Sequence, residues 1–276
     1  MTEQVVARLV EAYAPLPEVV AIGLGGSLVA RPDPLSDVDL YVFVNAVIGD
    51  AERLAVIGRF DPPALDLTRV LAGPGGDEFH DGPSGREIDV MYWDPGWLAD
   101  RVAAVTVRHE AAAEYSTALW FTARSMRILH DPSGALGALQ AAAAVPYPDE
   151  LRHRIVRGNT DVLRRTQSSY LHQVEKAIAR HDEVSVNHRV AALLGAYFDV
   201  ILAANRALHP GEKRLLEHVE SHRLRCPEGM RRDVEAVVAA AVPDSETLVE
   251  AINRLAAGLE AFADAELVPD GTTTRP

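Results

Sequence analysis

Two aspartates stand one residue apart at the start of an apolar run. In the segment GGSLVARPDPLSDVDLYVFV, residues 25–44, Asp37 and Asp39 alternate with Val38 and Leu40. Successive side chains of a strand point to opposite faces, so we expect both carboxylates on one face and the apolar residues on the other. Two like charges this close are unfavourable unless water, a base or a cation compensates them. A hard divalent cation such as Mg²⁺, which takes oxygen ligands, is the predicted partner.

A second predicted strand, REIDVMYW at 86–93, repeats this pattern with Glu87 and Asp89 on one face. If it lies beside the first strand, Asp89 converges on Asp37 and Asp39. Three carboxylates on two neighbouring strands suit two-metal phosphoryl chemistry, in which one metal holds a triphosphate and the other activates an attacking hydroxyl. Asp89 is also placed to act as general base toward that hydroxyl. The sequence leaves open whether Glu87 or Asp89 is the third carboxylate.

A glycine pair and a serine precede the two aspartates. Gly25 and Gly26 follow a predicted strand at 18–24, and glycine lets the backbone approach a ligand closely. Backbone N–H groups and the Ser27 hydroxyl can then bind a phosphate at the start of a following helix. A lone Gly-Gly-Ser is usually a turn and a lone Asp-x-Asp is usually a solvated strand end. The ordered combination, with a later strand carboxylate, therefore carries the prediction of a nucleotide site.

This order, Gly-Ser, nine residues, Asp-x-Asp and a distal strand carboxylate, resembles the DNA polymerase β-like nucleotidyltransferase superfamily. The segment 25–44 is most similar to the aminoglycoside and lincosamide nucleotidyltransferases, and in particular to the streptomycin/spectinomycin adenylyltransferases. The resemblance is specific over residues 20–93 and extends to the rest of the chain only in outline. It implies an enzyme that uses two Mg²⁺ ions to transfer AMP from ATP to a hydroxyl of a small molecule, releasing pyrophosphate.

The resemblance also implies individual roles. Gly26 and Ser27 would bind the triphosphate, Asp37 and Asp39 would ligate magnesium, and Asp89 would be the third carboxylate, as metal ligand and catalytic base. Some relatives carry glutamate at that third position, so the choice against the neighbouring glutamate stays open.

The elements that must position these residues fall into two kinds. Up to residue 145, strand-like runs alternate with helical periodicity, and beyond the segment VPYPDE only helical periodicity is found. We therefore predict an α+β protein with a polymerase-β-like catalytic domain (mixed twisted sheet and flanking helices), an all-α bundle and a disordered tail. The predicted boundaries are 1–146, 147–268 and 269–276. The predicted strands are 18–24, 37–44, 65–70 and 86–93, with a loop or hairpin at 71–85; the predicted helices are 2–14, 50–59, 95–108, 115–128, 135–143, 149–181, 184–208, 211–222, 228–241 and 245–266.

One lysine of the helical half is a candidate phosphate ligand. The chain is rich in arginine and has only two lysines, Lys176 and Lys213. Lys213 follows His209-Pro210-Gly211 and is expected in the first turn of a new helix, where its compact ammonium suits a phosphate. The segment resembles one in the helical domain of related nucleotidyltransferases, whose lysine reaches the nucleotide phosphates. A solvated lysine at a helix start is an equally good interpretation.

Charge and composition indicate which classes of partner and which location to expect. The net charge is −13, with the excess of acid in the first half, which disfavours a nucleic-acid groove and favours a cationic acceptor. No apolar run approaches the ~18 residues of a membrane helix, and the N-terminus does not resemble a signal peptide. Cys226 is the only cysteine, so no intramolecular disulfide is expected and the cytoplasm is the predicted location. The oligomeric state stays open.

Two alternative functions remain. The first is nucleotidyl transfer to a protein, as in antitoxin-like members of the superfamily, although those are usually small single domains. The second is a non-catalytic nucleotide-binding regulatory protein. The presence of all three carboxylates together with the Gly-Ser pair argues against a degenerate copy of this kind.

Overall fold

The computed structural model describes residues 2–30, 36–63, 65–66, 75–241 and 245–267. The predicted tail at 269–276 and most of the predicted strand at 65–70 lie outside these ranges. The strands are β1 Val19–Leu24, β2 Val38–Val44, β3 Leu65–Asp66, β4 Gly76–Asp81, β5 Arg86–Trp93 and β6 Arg127–His130. The helices are α1 Thr2–Tyr13, α2 Gly26–Ala30, α3 Asp50–Ile57, α4 Pro95–Thr106, α5 Ala118–Ser125, α6 Ala135–Ala143, α7 Asp149–Arg164, α8 Tyr170–Ala179, α9 Glu183–Ala204, α10 Leu215–Ser221, α11 Met230–Ala240 and α12 Ser245–Leu267.

The chain divides into two compact units. The first comprises Met1–Ala103 and Leu119–Val145 and holds the sheet, and the second comprises Ala104–Ala118 and Pro146–Pro276 and is helical. The segment Ala104–Ala118 therefore groups with the helical unit although it precedes residue 146.

A six-stranded mixed sheet forms the first unit, with strand order β3-β4-β5-β2-β1-β6. The two central strands, β2 and β5, run parallel, and every other neighbouring pair is antiparallel. With its flanking helices this confirms the predicted α+β class. Strands β2 and β5 pair in a register that places Asp39 opposite Asp89.

The core on one face of the sheet fixes how the central strands are oriented. Val38, Leu40 and Val42 of β2, with Ile88 and Val90 of β5, are fully buried in one apolar cluster. Helix α1 contributes its buried stripe to the same cluster. Because the side-chain period of a strand is two, burying these residues sends the intervening residues to the opposite face. The aspartates are on that opposite face.

A buried ion pair ties β4 to α3 within this core. The guanidinium of Arg53 donates hydrogen bonds to both carboxylate oxygens of Asp77 and to the Gly76 carbonyl. The Tyr92 hydroxyl donates to Asp77 at 2.6 Å, and the Arg53 guanidinium lies 5.2 Å from the centroid of the Tyr92 ring. Such a pair is tolerated away from water because its remaining hydrogen-bonding groups are satisfied. It holds β4 in place beside β5.

The structure departs from the predicted elements at four places. Strand β4 forms inside the predicted 71–85 loop, and β6 forms where a helix was predicted to continue to residue 128. The predicted helix 149–181 is divided into α7 and α8, because Ser169 caps the new helix by accepting from the His172 N–H.

The fourth difference concerns Lys213, which the sequence placed in the first turn of a helix. That placement is wrong, since α10 begins only at Leu215. Gly211 and Arg214 both have left-handed backbone angles, with φ of 108° and 57°, so the intervening chain forms a turn rather than a helix. Lys213 is exposed in this turn.

Helix α9 is the central helix of the second unit. Within the described ranges, α9 is the one helix that is long enough and apolar enough to cross a membrane. However, 67% of its most apolar window is buried inside the protein. Apolar residues all around a helix are typical of the core of a bundle as well. Its packing partners include α7 and α8.

The buried ion pair yields a stability prediction. We expect Arg53→Met to lower the free energy of unfolding by about 3–5 kcal/mol, because it leaves the Asp77 carboxylate buried without a counter-charge. All three tryptophans, Trp93, Trp97 and Trp120, lie in the first unit, so denaturant unfolding followed by tryptophan fluorescence reports on this unit.

The matched control is Arg101→Met, which removes the same chemical group from an exposed pair with Asp100. It should cost less than about 1 kcal/mol. Equal losses in the two variants would contradict the structural role assigned to the buried pair.

Candidate active site

Three carboxylates meet at the centre of the sheet. Asp37 directly precedes β2, Asp39 is its second residue, and Asp89 lies opposite Asp39 on the parallel strand β5. One oxygen from each can be chosen so that all three atoms lie within 4.8 Å of one another, and each residue is half-buried. Oxygen donors at this spacing are the set that a hard divalent cation takes. The structure thus brings together the three aspartates that the sequence predicted, and their donor chemistry fits magnesium.

The electrostatics of this group favour a cation. Burial, followed by the neighbouring carboxylates of Asp39, Glu78, Glu87 and Asp37, raises the pKa of Asp89 from 3.8 to about 6. A carboxyl that is disfavoured in its charged form by other carboxylates is stabilised by a bound cation. The repulsion within the site is therefore the physical reason to expect a metal there.

Glu78 is a member of this acidic surface that sequence reasoning missed. It lies on β4 directly across from Asp89 in the antiparallel register, and its side chain is exposed. It falls within a glycine- and proline-rich stretch that was predicted as a loop or hairpin. Asp77, Phe79 and Asp81 are buried and Glu78 and His80 are exposed, but two of the buried residues are aspartates, so the sequence shows no apolar alternation that would have identified the strand.

Glu87 is placed differently from Asp89. It lies on the same face two residues earlier, is exposed, and within the described part of the chain does not belong to the clustered carboxylates. Asp89 is the residue whose oxygen joins those of Asp37 and Asp39. The geometry therefore favours Asp89 over Glu87 as the third ligand.

The glycine pair is required by the close approach of two side chains. Gly26 has a φ of 61°, and a Cβ atom added there would overlap the Asp39 carboxylate. A Cβ at Gly25 would overlap the ring of Tyr41 instead. The Gly25 N–H donates to the Asp39 carbonyl at 3.0 Å, which fixes the turn against β2. The pair therefore makes room for the Asp39 carboxylate, in addition to any contact with a ligand.

Arg86 fixes the chain just before the aspartates. Its guanidinium donates to the Ser36 carbonyl at 2.5 Å, and Ser36 is buried immediately ahead of Asp37. Arg86 also begins β5, so this bond joins the starts of the two strands that carry the carboxylates. Sequence patterns gave no sign of this contact, because it connects residues 50 positions apart.

Two predicted phosphate ligands stay predictions. The backbone of Ser27 lies in the short helix α2, while its side chain lies outside the described part of the structure. Lys213 belongs to the helical unit, whereas the three aspartates and Gly26 belong to the first unit.

Comparison with known proteins gives one uncharacterised family and two distant structural similarities. A domain of unknown function, DUF4037, matches residues 114–215. No curated protein matches the sequence significantly. A nucleotidyltransferase-like protein from Exiguobacterium sibiricum is similar at 14% identity and a TM-score of 0.41, covering 96% of this chain and 76% of that one. A STING-associated CdnE c-di-GMP synthase from Capnocytophaga granulosa is similar at 12% identity and a TM-score of 0.25, covering 94% and 79%. At these values neither structure assigns an activity to this chain.

The raised pKa of Asp89 predicts a pH-dependent stability. With a native pKa near 6 instead of 3.8, the folded protein binds this proton more tightly than the unfolded chain does. The free energy of unfolding therefore falls as pH rises between these values, and the ionised Asp89 destabilises the metal-free protein at neutral pH. We expect Asp89→Asn to raise Tm at pH 7 by about 2–4 °C, which corresponds to about 1 kcal/mol after allowance for solvent screening.

The measurement is thermal unfolding in EDTA across pH 3–8, with the exposed Asp100→Asn as matched control. The stabilisation by Asp89→Asn should disappear below the ordinary aspartate pKa. A stabilisation that is the same at every pH would contradict the assignment.

The glycine geometry predicts a loss of metal binding on adding one methyl group. At a Mg²⁺ concentration 100 times Kd, the wild-type protein should gain about 2.7 kcal/mol of stability, and Gly26→Ala should lose most of this gain because the methyl displaces the Asp39 carboxylate. The control is Gly134→Ala, since Gly134 also has a positive φ of 73° but has open space where the Cβ would lie. If both variants lose the stabilisation by Mg²⁺, backbone strain rather than displacement of the Asp39 carboxylate would explain the loss.

Proposed function

We propose that this protein is a Mg²⁺-dependent nucleotidyltransferase that transfers AMP from ATP to a hydroxyl of a small, aminoglycoside-like acceptor. The observation that carries the proposal is the meeting of Asp37, Asp39 and Asp89 from two parallel strands beside the Gly25-Gly26 turn. The choice of ATP and of an antibiotic-like acceptor rests on the resemblance of segment 25–44 to the streptomycin/spectinomycin adenylyltransferases.

In this mechanism the three aspartates would hold magnesium, and Asp89 would also act as the proton acceptor. Magnesium, when bound, neutralises the triphosphate and polarises the phosphorus that is attacked. Asp89 would accept the proton of the acceptor hydroxyl as general base. A bond forms between the acceptor oxygen and the α-phosphorus, and the bond from that phosphorus to the oxygen bridging to the β-phosphate breaks. Pyrophosphate leaves with the electron pair of the broken bond.

The charge around the triad supports a cationic acceptor. Glu78 and Glu87 are exposed on the same face of the sheet as the metal ligands, and both raise the pKa of Asp89. Carboxylates that the metal does not neutralise give this surface a negative potential, which attracts an amine-bearing substrate. The net charge of −13 acts in the same direction and disfavours a nucleic acid as the acceptor.

The decisive experiment measures pyrophosphate release with ATP and Mg²⁺ in the presence of streptomycin, spectinomycin or lincomycin. We expect release that depends on one acceptor, and a loss of at least about 100-fold in Asp39→Asn, because the metal and the nucleotide lose a ligand. The exposed Asp100→Asn should retain the wild-type rate.

The outcomes separate the alternatives. Mass analysis of acceptors should show adenylylated antibiotic, whereas an adduct found on proteins would favour transfer to a protein. ATP binding without release under any of these conditions would contradict the proposal in favour of a regulatory nucleotide-binding protein.

A further inference from the structure

The helical unit contains a cavity of about 300 Å³, which has no role in the proposed nucleotidyl transfer. Leu194 and Phe198 of α9 form part of its apolar wall, and Tyr115 lines it from the segment that precedes α5. Glu212 and Glu217 also line the cavity. A pocket of this volume, mostly apolar with few polar groups, is of the size and kind that takes a small molecule.

Two residues of the cavity wall have an unfavourable backbone conformation. Tyr115 and Arg214 have φ angles of 53° and 57°, in the left-handed region that costs a residue with a side chain free energy. Non-glycine residues persist there only when the surrounding structure holds them, and they concentrate at ligand sites. Two of the seven non-glycine residues with positive φ in the described part of the chain therefore line this cavity.

The contacts that hold Tyr115 are buried and specific. The next residue, Ser116, donates from its backbone N–H and its hydroxyl to the carboxylate of Asp199, which is 1% exposed. The Thr117 hydroxyl accepts a hydrogen bond from the backbone N–H of His209 at 2.8 Å. The Tyr115 ring then packs edge-on against the His209 ring, with centroids 4.8 Å apart. These anchors fix the ring in the cavity wall.

Several carboxylates act on the Tyr115 ring. Burial raises the pKa of Tyr115, and the carboxylates of Glu114, Glu212 and Asp199 raise it in the same direction. Glu114 also lies against Gly195, which lines the cavity, so that a Cβ at this glycine would overlap the carboxylate. Arg214 is the cation of the wall, and its side chain is not free, since it makes an interaction of its own. An aromatic ring surrounded by carboxylates attracts a cation through its face.

We propose that this cavity binds an organic cation, an ammonium group on a small apolar body. The ammonium would contact the Tyr115 ring and the carboxylates of Glu212 and Glu217, and the apolar body would pack against Phe198 and Leu194. The site consists of residues of the helical unit, so the proposal stands or falls independently of nucleotidyl transfer.

The test is calorimetric titration of the full chain with phenethylamine and with its neutral analogue 2-phenylethanol, in the absence of nucleotide. The amine should bind about tenfold or more tightly than the alcohol, which corresponds to the free energy of one desolvated cation–aromatic contact. Tyr115→Gly removes the ring and suits the positive φ, and it should weaken amine binding by about tenfold. Tyr115→Phe keeps the ring and should bind like the wild type.

Glu212→Gln should weaken binding of the amine but not of the alcohol, and Glu250→Gln, on the exposed side of α12, is the matched control that should change neither. Equal binding of amine and alcohol by the wild-type protein would overturn the proposal. Undiminished amine binding by a folded Tyr115→Gly protein would overturn it as well. If that variant does not fold, Glu212→Gln decides, and unchanged amine binding there overturns the proposal.

Discussion

The parallel pairing of β2 with β5 is the constraint on which the rest of the first unit depends. Its register sets Asp39 opposite Asp89, and the strand period puts both on the face away from the apolar cluster. A shift of one residue in either strand would bury a carboxylate and expose a valine or leucine. The burial of the apolar face therefore enforces a repulsion between carboxylates on the other face, and the burial of Asp89 together with this repulsion raises its pKa.

Several other contacts are consequences of this arrangement. The Gly25-Gly26 turn leaves space for Asp39 and Tyr41, and Arg86 joins the starts of the two strands through the Ser36 carbonyl. On the core face, the Arg53–Asp77 pair holds β4 in its register, so that Glu78 lies across from Asp89. Charges in this unit are thus used in two ways: the Arg53–Asp77 pair is neutralised inside the core, and three carboxylates converge where a cation fits.

The helical unit shows a comparable use of a buried acid. Asp199 on α9 has a pKa raised by burial to about 6, and its hydrogen bonds with Ser116 and Asn159 oppose that shift. These bonds anchor the segment that carries Tyr115. The region matched by the DUF4037 family, residues 114–215, contains this network and much of the cavity wall. The network and most of the cavity wall therefore lie within the part of the chain that this family model matches.

The sequence by itself determined the features that depend on local pattern. The alternation in DVDLYVFV and REIDVMYW fixed which residues share a face, and the α+β class followed from the order of strand-like and helical runs. Even the glycine pair was recognisable, although its steric reason, the approach of Asp39 and Tyr41, was not. Tertiary structure decided which strands pair and in which register, because a strand's own residues do not specify its partner. It placed Glu78 opposite Asp89, and it started α10 after Lys213 rather than before it. It also held Tyr115 in a left-handed conformation through Asp199, which lies 84 positions (199 − 115) further along the chain. Contacts between residues far apart in the chain stabilise these features, and no short window of sequence contains both partners of such a contact.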